Sequence, residues 1–235
     1  MSARYAIYYA PAHDSPWWAF GACWLGRDEQ RDLALEQPSL PQLAADSFAR
    51  ITAEPRRYGF HATLKAPFRL QAGVTADRLL ERVESLARTL DAVPVGVLEP
   101  VVMDGFVALA PPVDSTTAQA GLAHLAESCV TALDDLRAPL TNGELARRKP
   151  EALDTRGREL LDRFGYPHVM ERFRFHMTLT GPVEAELAAL LVAQVARPVE
   201  QLNIQAPLLL DRLCIFCQSE PEAAFRRLSD AMLRT

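Results

Sequence analysis

One eleven-residue pattern occurs twice in this chain and constrains its fold more than any other feature. The first copy covers residues 57–67 and the second covers residues 172–182. Aligned without a gap, the two copies have Arg, Phe, His, Thr, Leu and Pro at equivalent positions. Self-similarity of this kind predicts an internal repeat, in which two parts of the chain form similar structural units.

Each copy also alternates between apolar and polar residues, which is typical of a half-buried strand. Phe60 and Leu64 lie on the apolar face of the first predicted strand, and Phe175 and Leu179 lie on that of the second. The opposite faces are rich in cations and hydroxyls. Their residues are Arg57, His61, Thr63 and Lys65 in the first copy, and Arg172, Arg174, His176, Thr178 and Thr180 in the second.

The composition is that of an ordinary globular protein and limits the kinds of partner. The 235 residues, 49% of them hydrophobic and 23% charged, allow one large domain or two small lobes. A net charge of -5 argues against an extended nucleic-acid surface, because affinity for a phosphate backbone depends on clustered Lys and Arg. We therefore expect any anion site to be local, at the two repeated strands.

No membrane or disulfide framework is expected. No apolar run approaches the roughly 20 residues of a transmembrane helix, and the first residues lack the apolar segment of a signal peptide. The sequence thus predicts a cytoplasmic protein without a membrane partner. Cys214 and Cys217 have C-x-x-C spacing but lie in an apolar run without a second pair, so we interpret them as structural cysteines.

The remaining pattern predicts strands and helices in alternation. Ser15 is expected to cap a helix that has Pro16 at its first position, and Asp104-Gly105 is expected to form a hairpin turn. The basic segment 147–149 is either a lid over a phosphate or a solvated surface. The predicted strands are 4–10, 93–103, 106–110 and 208–217, and the predicted helices are 16–26, 38–51, 75–90, 116–136, 156–164 and 184–195.

Two His-x-Thr strands facing a common groove would suit a phosphodiester. If the two units pack about a pseudo-two-fold axis, the strands lie side by side with His61 and His176 on opposite sides of the substrate. One imidazole would act as general base and the other, protonated, as general acid. Thr63 and Thr178 would donate hydrogen bonds to the non-bridging oxygens, and Arg or Lys would stabilise the charge that develops there.

At these residues the chain resembles a known family. The tetrads His61-Ala62-Thr63-Leu64 and His176-Met177-Thr178-Leu179 are similar to the paired signature of the 2H phosphoesterase superfamily. The flanking residues, together with segments 4–11 and 137–141, resemble a bacterial branch labelled as phosphonate-metabolism proteins. The resemblance therefore covers nearly the whole chain.

The resemblance implies a bilobal α+β fold with an antiparallel sheet in each lobe and a central groove. The first motif would lie in a lobe of about 40–110 and the second in a lobe of about 155–220, within a single domain of 1–235 in which strands and helices can be exchanged between lobes. It implies metal-independent chemistry, without a cofactor, on cyclic phosphates or 2',5'-linked phosphodiesters. His61, Thr63, His176 and Thr178 carry over as catalytic residues, and the branch label points to a cyclic ribose phosphate.

The leading hypothesis is thus a phosphodiesterase that opens a small cyclic phosphate. The alternatives are an RNA-end 2',3'-cyclic phosphodiesterase or 2',5' ligase, and a non-catalytic protein that binds a phosphate ligand or an RNA end. A zinc hydrolase is disfavoured because no Asp, Glu or Cys lies at ligand spacing from either histidine. The candidate substrate-binding residues are Lys65, Arg57, Arg172, Arg174, Thr180 and Tyr8.

Several points stay open at the level of sequence. Strand parity does not decide whether Tyr8 or its neighbours Ile7 and Tyr9 point into the groove. Tyr166 and His168 are interpreted as parts of an ordinary loop. The near-symmetry of the repeat leaves the two histidines interchangeable as acid and base, and the oligomeric state is not specified.

Overall fold

Helices and antiparallel strands alternate along residues 3–112 and 116–235, which the computed structural model describes. The protein is α+β, as predicted. The strands are β1 (Arg4–Tyr9), β2 (Arg27–Asp28), β3 (Leu33–Ala34), β4 (Ala62–Arg69), β5 (Val93–Pro94), β6 (Glu99–Met103), β7 (Phe106–Ala110), β8 (Met177–Pro182), β9 (Leu209–Leu210), β10 (Arg212–Gln218) and β11 (Arg226–Met232). The helices are α1 (Pro16–Leu25), α2 (Ala45–Ile51), α3 (Ala53–Arg56), α4 (Ala76–Ala87), α5 (Thr116–Ala132), α6 (Asn142–Arg147), α7 (Thr155–Phe164) and α8 (Ala185–Gln205), with single 3-10 turns at Asp134–Leu136, Pro150–Ala152 and Met170–Arg172.

The two motif strands belong to different sheets. One sheet has the order β11-β10-β1-β4 and the other has the order β6-β7-β8, so β4 and β8 are both edge strands. They are therefore not hydrogen-bonded to each other, which is compatible with the expectation of a separate antiparallel sheet for each motif. Helix α3, immediately before the first motif, packs against β8 and thereby brings the two copies of the pattern together.

The exposed edges of these two strands are covered by other parts of the chain. The indole Nε1 of Trp24 donates to the carbonyl of Leu179 in β8 (3.0 Å). On β4, the carbonyl of Arg69 accepts from the backbone N–H of Ala138 (2.8 Å). Unpaired edge groups otherwise attract other chains or lose hydrogen bonds on burial. The two motifs are thus fixed to the rest of the fold through their own backbone.

Each motif strand begins one residue after its histidine. The prediction that the strands include Arg57 and Arg172 is wrong, because α3 ends at Arg56 and a 3-10 turn ends at Arg172. In the first copy the chain then turns at Gly59, whose φ of 79° is in the left-handed region that glycine adopts without steric cost. Each histidine is therefore the residue immediately before its strand.

Several other elements follow the local signals in the sequence. Ser15 accepts a hydrogen bond from the backbone N–H of Trp18 (3.2 Å) and caps α1. The hairpin between β6 and β7 turns at Asp104 and Gly105, which have φ of 46° and 87°. The helices predicted at 75–90 and 156–164 correspond to α4 and α7. Hydrogen bonds and turn conformations that involve only residues close in sequence determine where these elements begin and end.

Other elements differ from the prediction where tertiary packing overrides the local pattern. Helix α8 continues through Pro198 because its buried stripe extends to Val199. The predicted helix 38–51 is shortened to α2, and the predicted strand 208–217 is divided into β9 and β10. Strand β11 was missed because its burial is inverted: Arg227 is 4% exposed whereas Leu228 is 52% exposed.

The predicted structural role of the C-x-x-C pair agrees with the placement of Cys214, which is fully buried, while Cys217 is half-buried. Both thiols are free. No helix in the described part of the chain is long and apolar enough to span a membrane.

Close packing of α1 against Phe60 leads to a prediction about stability. A Cβ added at Gly21 would lie 2.0 Å from atoms of the Phe60 ring, which is fully buried beside His61. We expect Gly21→Ala to lower the free energy of unfolding by about 1–3 kcal/mol, because an overpacked core must shift. Urea unfolding measures the change. The control is Gly143→Ala in α6, where nothing lies within 4 Å, and an equal effect of both variants would contradict the packing argument.

Candidate active site

His61 and His176 are held in the same way by the backbone. Nδ1 of His61 lies 2.8 Å from the carbonyl of Gly59, and Nδ1 of His176 lies 2.8 Å from the carbonyl of Arg174. A carbonyl oxygen only accepts hydrogen bonds, so each Nδ1 carries the hydrogen in the neutral ring. Nε2 of each imidazole is therefore the nitrogen available to take or give a proton.

Thr63 and Tyr8 complete the immediate environment of His61. The hydroxyl of Thr63 lies 3.3 Å from Nε2 of His61, so it can donate to that nitrogen. Tyr8 pairs with Thr63 across the strands, and its ring stacks on the imidazole with centroids 3.8 Å apart. Ile7 and Tyr9 instead belong to the main hydrophobic core. The tertiary structure thus selects Tyr8 among the three positions that strand parity left open.

The second histidine has a similar but less enclosed setting. His176 precedes β8, and Thr178 on that strand pairs with Ala108 of β7. The ring of Phe106 lies 5.9 Å from the imidazole of His176. Asp104, in the hairpin turn next to Phe106, is close enough for its carboxylate to act on the charge of His176. In the sequence, Asp104 is recognisable only as a turn residue.

Burial lowers the proton affinity of both imidazoles. It lowers the pKa of His61 to about 4, an effect opposed by the Gly59 carbonyl and increased by the nearby charge of His176. Burial also lowers the pKa of His176, while the Arg174 carbonyl and the Asp104 carboxylate oppose this shift. Because the charge of His176 acts on His61, a proton on one ring disfavours a proton on the other.

Gly59 is held in place by a buried acid. Glu29 is fully buried, and its Oε1 accepts a hydrogen bond from Nε1 of Trp18 (3.0 Å). Its Oε2 has no hydrogen-bond partner in the described part of the chain, and burial raises the pKa of its carboxyl. A Cβ on Gly59 would lie 2.8 Å from the Cβ of Glu29. The carbonyl that orients His61 thus needs a glycine for both its φ and its space.

Lys65 and Thr180, both predicted to bind substrate, make structural contacts instead. The ammonium of Lys65 is buried and donates to the carbonyl of Val130 and the carboxylate of Asp134, both at 3.1 Å. The hydroxyl of Thr180 is buried and accepts from the N–H of Val107 (3.0 Å). Both residues occupy the same position of the repeat.

Irregular strand pairing explains why alternation fails at this position. In β4 a register shift separates the pair Tyr8–Thr63 from the pair Ile7–Lys65, so Lys65 pairs with a core residue. In β8 the pairing also shifts between Phe106 and Ala108. Such bulges re-aim side chains relative to strict alternation. The polar face that was predicted from the sequence therefore ends at the threonine in each copy.

The three candidate arginines are placed differently from one another. Arg57 donates to the carbonyl of Pro221 (3.0 Å), and Arg172 forms an ion pair with Asp154 (2.6 Å). Arg174 is exposed beside His176, and its guanidinium makes no hydrogen bond or ion pair to any residue that the structure describes. Arg174 is thus the candidate arginine that is best placed to meet an anion.

The segment around Tyr166, interpreted from the sequence as an ordinary loop, packs against Arg148. The guanidinium of Arg148 lies 4.7 Å from the centre of the Tyr166 ring. His168 is exposed beside Tyr166. The basic segment 147–149 is thus divided, with Arg148 half-buried and Arg147 and Lys149 exposed. No signal in the sequence distinguished Arg148 from its neighbours.

In residues 3–112 and 116–235, no group of three or more His, Cys, Asp or Glu side chains is positioned to hold a metal ion. The chemical groups that this site offers are therefore two imidazoles, hydroxyls and guanidinium groups.

Comparison with known proteins links the chain to one family and to longer relatives. A family described as "Protein of unknown function (DUF1045)" matches residues 63–226. A protein of Janthinobacterium sp. (strain Marseille) named ribose 1,5-bisphosphate phosphokinase PhnN is 38% identical over 228 residues, which are 94% of this chain and 49% of the relative. A protein of the same name from Laribacter hongkongensis (strain HLHK9) is 36% identical over 225 residues, 95% of this chain and 50% of the relative. The chain therefore spans about half the length of these curated relatives.

Lys65 and Thr63 allow a structural role to be separated from a binding role. We expect Lys65→Met to lower the free energy of unfolding by about 1–3 kcal/mol, because Asp134 and the Val130 carbonyl lose a buried donor. We expect Thr63→Val to leave stability nearly unchanged and to weaken phosphate binding. Urea unfolding and phosphorus NMR titration with inorganic phosphate measure the two effects. If Lys65→Met binds phosphate more weakly at unchanged stability, Lys65 is a binding residue and the structural interpretation is wrong.

Proposed function

The chain belongs to the DUF1045 family, whose description assigns no activity, and we propose that it is a metal-independent phosphodiesterase that opens a small cyclic phosphate. The observation that carries the proposal is the shared geometry of the two histidines. In both copies Nδ1 is bound to a backbone carbonyl, which leaves Nε2 for proton transfer, and the charge of His176 acts on His61. Paired His-x-Thr motifs of this kind also support assignment to the 2H phosphoesterase superfamily, with a lobe around each motif.

We assign His61 as the general base and His176 as the general acid. His61 is the more enclosed ring, and its neutral form is favoured by burial and by the charge of His176. His176 has the carboxylate of Asp104 nearby, which favours its protonated form. This difference between the two copies supports the assignment, because the roles of base and acid call for unequal proton affinities.

The proposed reaction is a single hydrolytic step with balanced protons. Water gives a proton to Nε2 of His61 as its oxygen forms a bond to phosphorus. The bond between phosphorus and one ring oxygen breaks, and that oxygen keeps the electron pair and takes a proton from Nε2 of His176. Thr63 and Thr178 donate hydrogen bonds to the non-bridging oxygens. The product is a phosphate monoester, and proton exchange with water restores both imidazoles.

The names of the longer relatives bear on the substrate. They describe a kinase of ribose 1,5-bisphosphate, a sugar that carries phosphate monoesters. This chain has only two lysines, Lys65 and Lys149, and neither follows a glycine as in the G-x-x-x-x-G-K-[ST] phosphate loop. We propose that the kinase reaction belongs to the other half of those relatives, and that this chain produces a ribose phosphate monoester from a cyclic precursor.

Alanine variants of the two histidines test the mechanism. We expect His61→Ala and His176→Ala each to lower kcat/KM for ribose 1,2-cyclic phosphate by about 100- to 10,000-fold, because each removes one proton transfer. The assay includes excess EDTA and follows product by phosphorus NMR. His124→Ala, an exposed position in α5, is the matched control and is expected to keep its activity.

Different failures of this assay point to different functions. Full activity in either alanine variant would contradict the two-histidine mechanism. Loss of wild-type activity in EDTA with recovery on adding zinc would indicate a metallohydrolase. Binding without product over hours would indicate a binding protein, and an affinity that rises with oligonucleotide length would favour an RNA-end substrate.

The pH dependence follows from the lowered pKa values. His61 acts as base only when neutral, so kcat/KM should fall as the pH drops through its pKa of about 4. His176 acts as acid only when protonated, so kcat/KM should fall about tenfold per pH unit above its lowered pKa. We therefore expect a bell-shaped profile with its maximum on the acid side of about pH 6.5. A profile that rises continuously to about pH 9 would contradict the assignment, and circular dichroism across the range controls for unfolding.

A further inference from the structure

Arg4 and Arg148 have no carboxylate partner among the residues that the structure describes. The guanidinium of Arg148 is half-buried against the Tyr166 ring, and it makes no hydrogen bond or ion pair within the described part of the chain. The carboxylate that acts on its charge, Glu144, is already bound by Nε and Nη2 of Arg69. Burial of a guanidinium without a carboxylate costs free energy. An anion bound at this position would offset that cost.

Arg4 lies on the same face of β1 as Tyr8. Its Nε donates to the amide oxygen of Gln218 (2.7 Å), a neutral acceptor, and its guanidinium carbon lies 5.6 Å from the centre of the Phe225 ring. The charges of Arg4 and Arg148 oppose one another, and this repulsion adds to burial in lowering the pKa of Arg148. Two cations that repel each other are stabilised together by an anion between them.

Aromatic contacts connect this cluster to the histidine. Tyr58 stacks on Phe225 with ring centroids 5.1 Å apart, and its ring lies 6.1 Å from that of His61. The hydroxyls of Tyr58 and Tyr166 make no hydrogen bonds to other described residues, so they are free to act as donors. Burial raises the pKa of Tyr166 and keeps its phenol protonated.

We propose that Arg4, Tyr58, Arg148 and Tyr166 form a second anion subsite, which binds a phosphate monoester on the substrate whose cyclic diester lies between His61 and His176. Guanidinium groups and phenol hydroxyls match the charge and the acceptor oxygens of a phosphate monoester. The ring centroids of Tyr58 and His61 are 6.1 Å apart. A single sugar can therefore connect a phosphate monoester in the subsite to a cyclic diester at His61. The substrate class is therefore a cyclic sugar phosphate with an additional phosphate, and this inference rests on the proposed function.

Two substrates that differ by one phosphate test the subsite. The wild type is expected to hydrolyse ribose 1,2-cyclic phosphate 5-phosphate with a kcat/KM at least about 100-fold above that for ribose 1,2-cyclic phosphate, in line with the strength of hydrogen bonds to charged groups. In Arg148→Met the ratio of the two kcat/KM values is expected to fall about 10- to 100-fold. Arg147→Met, which changes an exposed neighbour, is the matched control and should keep the wild-type ratio.

Direct binding separates the subsite from the catalytic proposal. Ribose 5-phosphate, followed by calorimetry, is expected to bind the wild type and the folded Arg148→Met variant with affinities that differ about 10- to 100-fold. If neither cyclic substrate is hydrolysed but this difference is found, the proposed function fails and the subsite stands. Equal kcat/KM for both substrates in the wild type, an unchanged ratio in Arg148→Met, or equal affinity of both proteins for ribose 5-phosphate would overturn the subsite.

Discussion

A hydrogen bond from Nδ1 to the carbonyl two residues earlier fixes each histidine, and the proposed chemistry depends on it. The bond selects the tautomer, sets the direction of the ring and leaves Nε2 free, in the same way for His61 and His176. In each copy the strand starts immediately after the histidine. The segment before the strand thus supplies the carbonyl, while the strand supplies the threonine two residues after the histidine.

The surroundings make the two otherwise similar imidazoles unequal. Tyr8 stacks on His61, whereas His176 lies near Phe106 and the Asp104 carboxylate. Because an enclosed imidazole beside a like charge resists protonation, His61 is suited to accept a proton.

Local sequence signals predicted those parts of the fold where a few neighbouring residues supply the controlling interaction. Ser15 capped its helix and Asp104-Gly105 formed its turn, because both depend on contacts within a few residues. The pairing partners of β4 and β8 were not predictable, since no periodicity encodes which sheet a strand joins. Strand β11 was missed because a buried arginine and an exposed leucine reverse the usual pattern of burial.

The candidate site likewise combines features that local sequence determines with features that tertiary packing determines. The sequence alone determined the two His-x-Thr units and their half-buried strands, because a repeated pattern with period two is a local property. Only the tertiary structure decided that Lys65 and Thr180 are structural, since irregular pairing with β1 and β7 re-aims the chain after each threonine. It also placed Arg148 against the ring of Tyr166, which lies 18 residues further along the chain. Contacts between residues far apart in the chain arise from packing, and the order of residues does not record them.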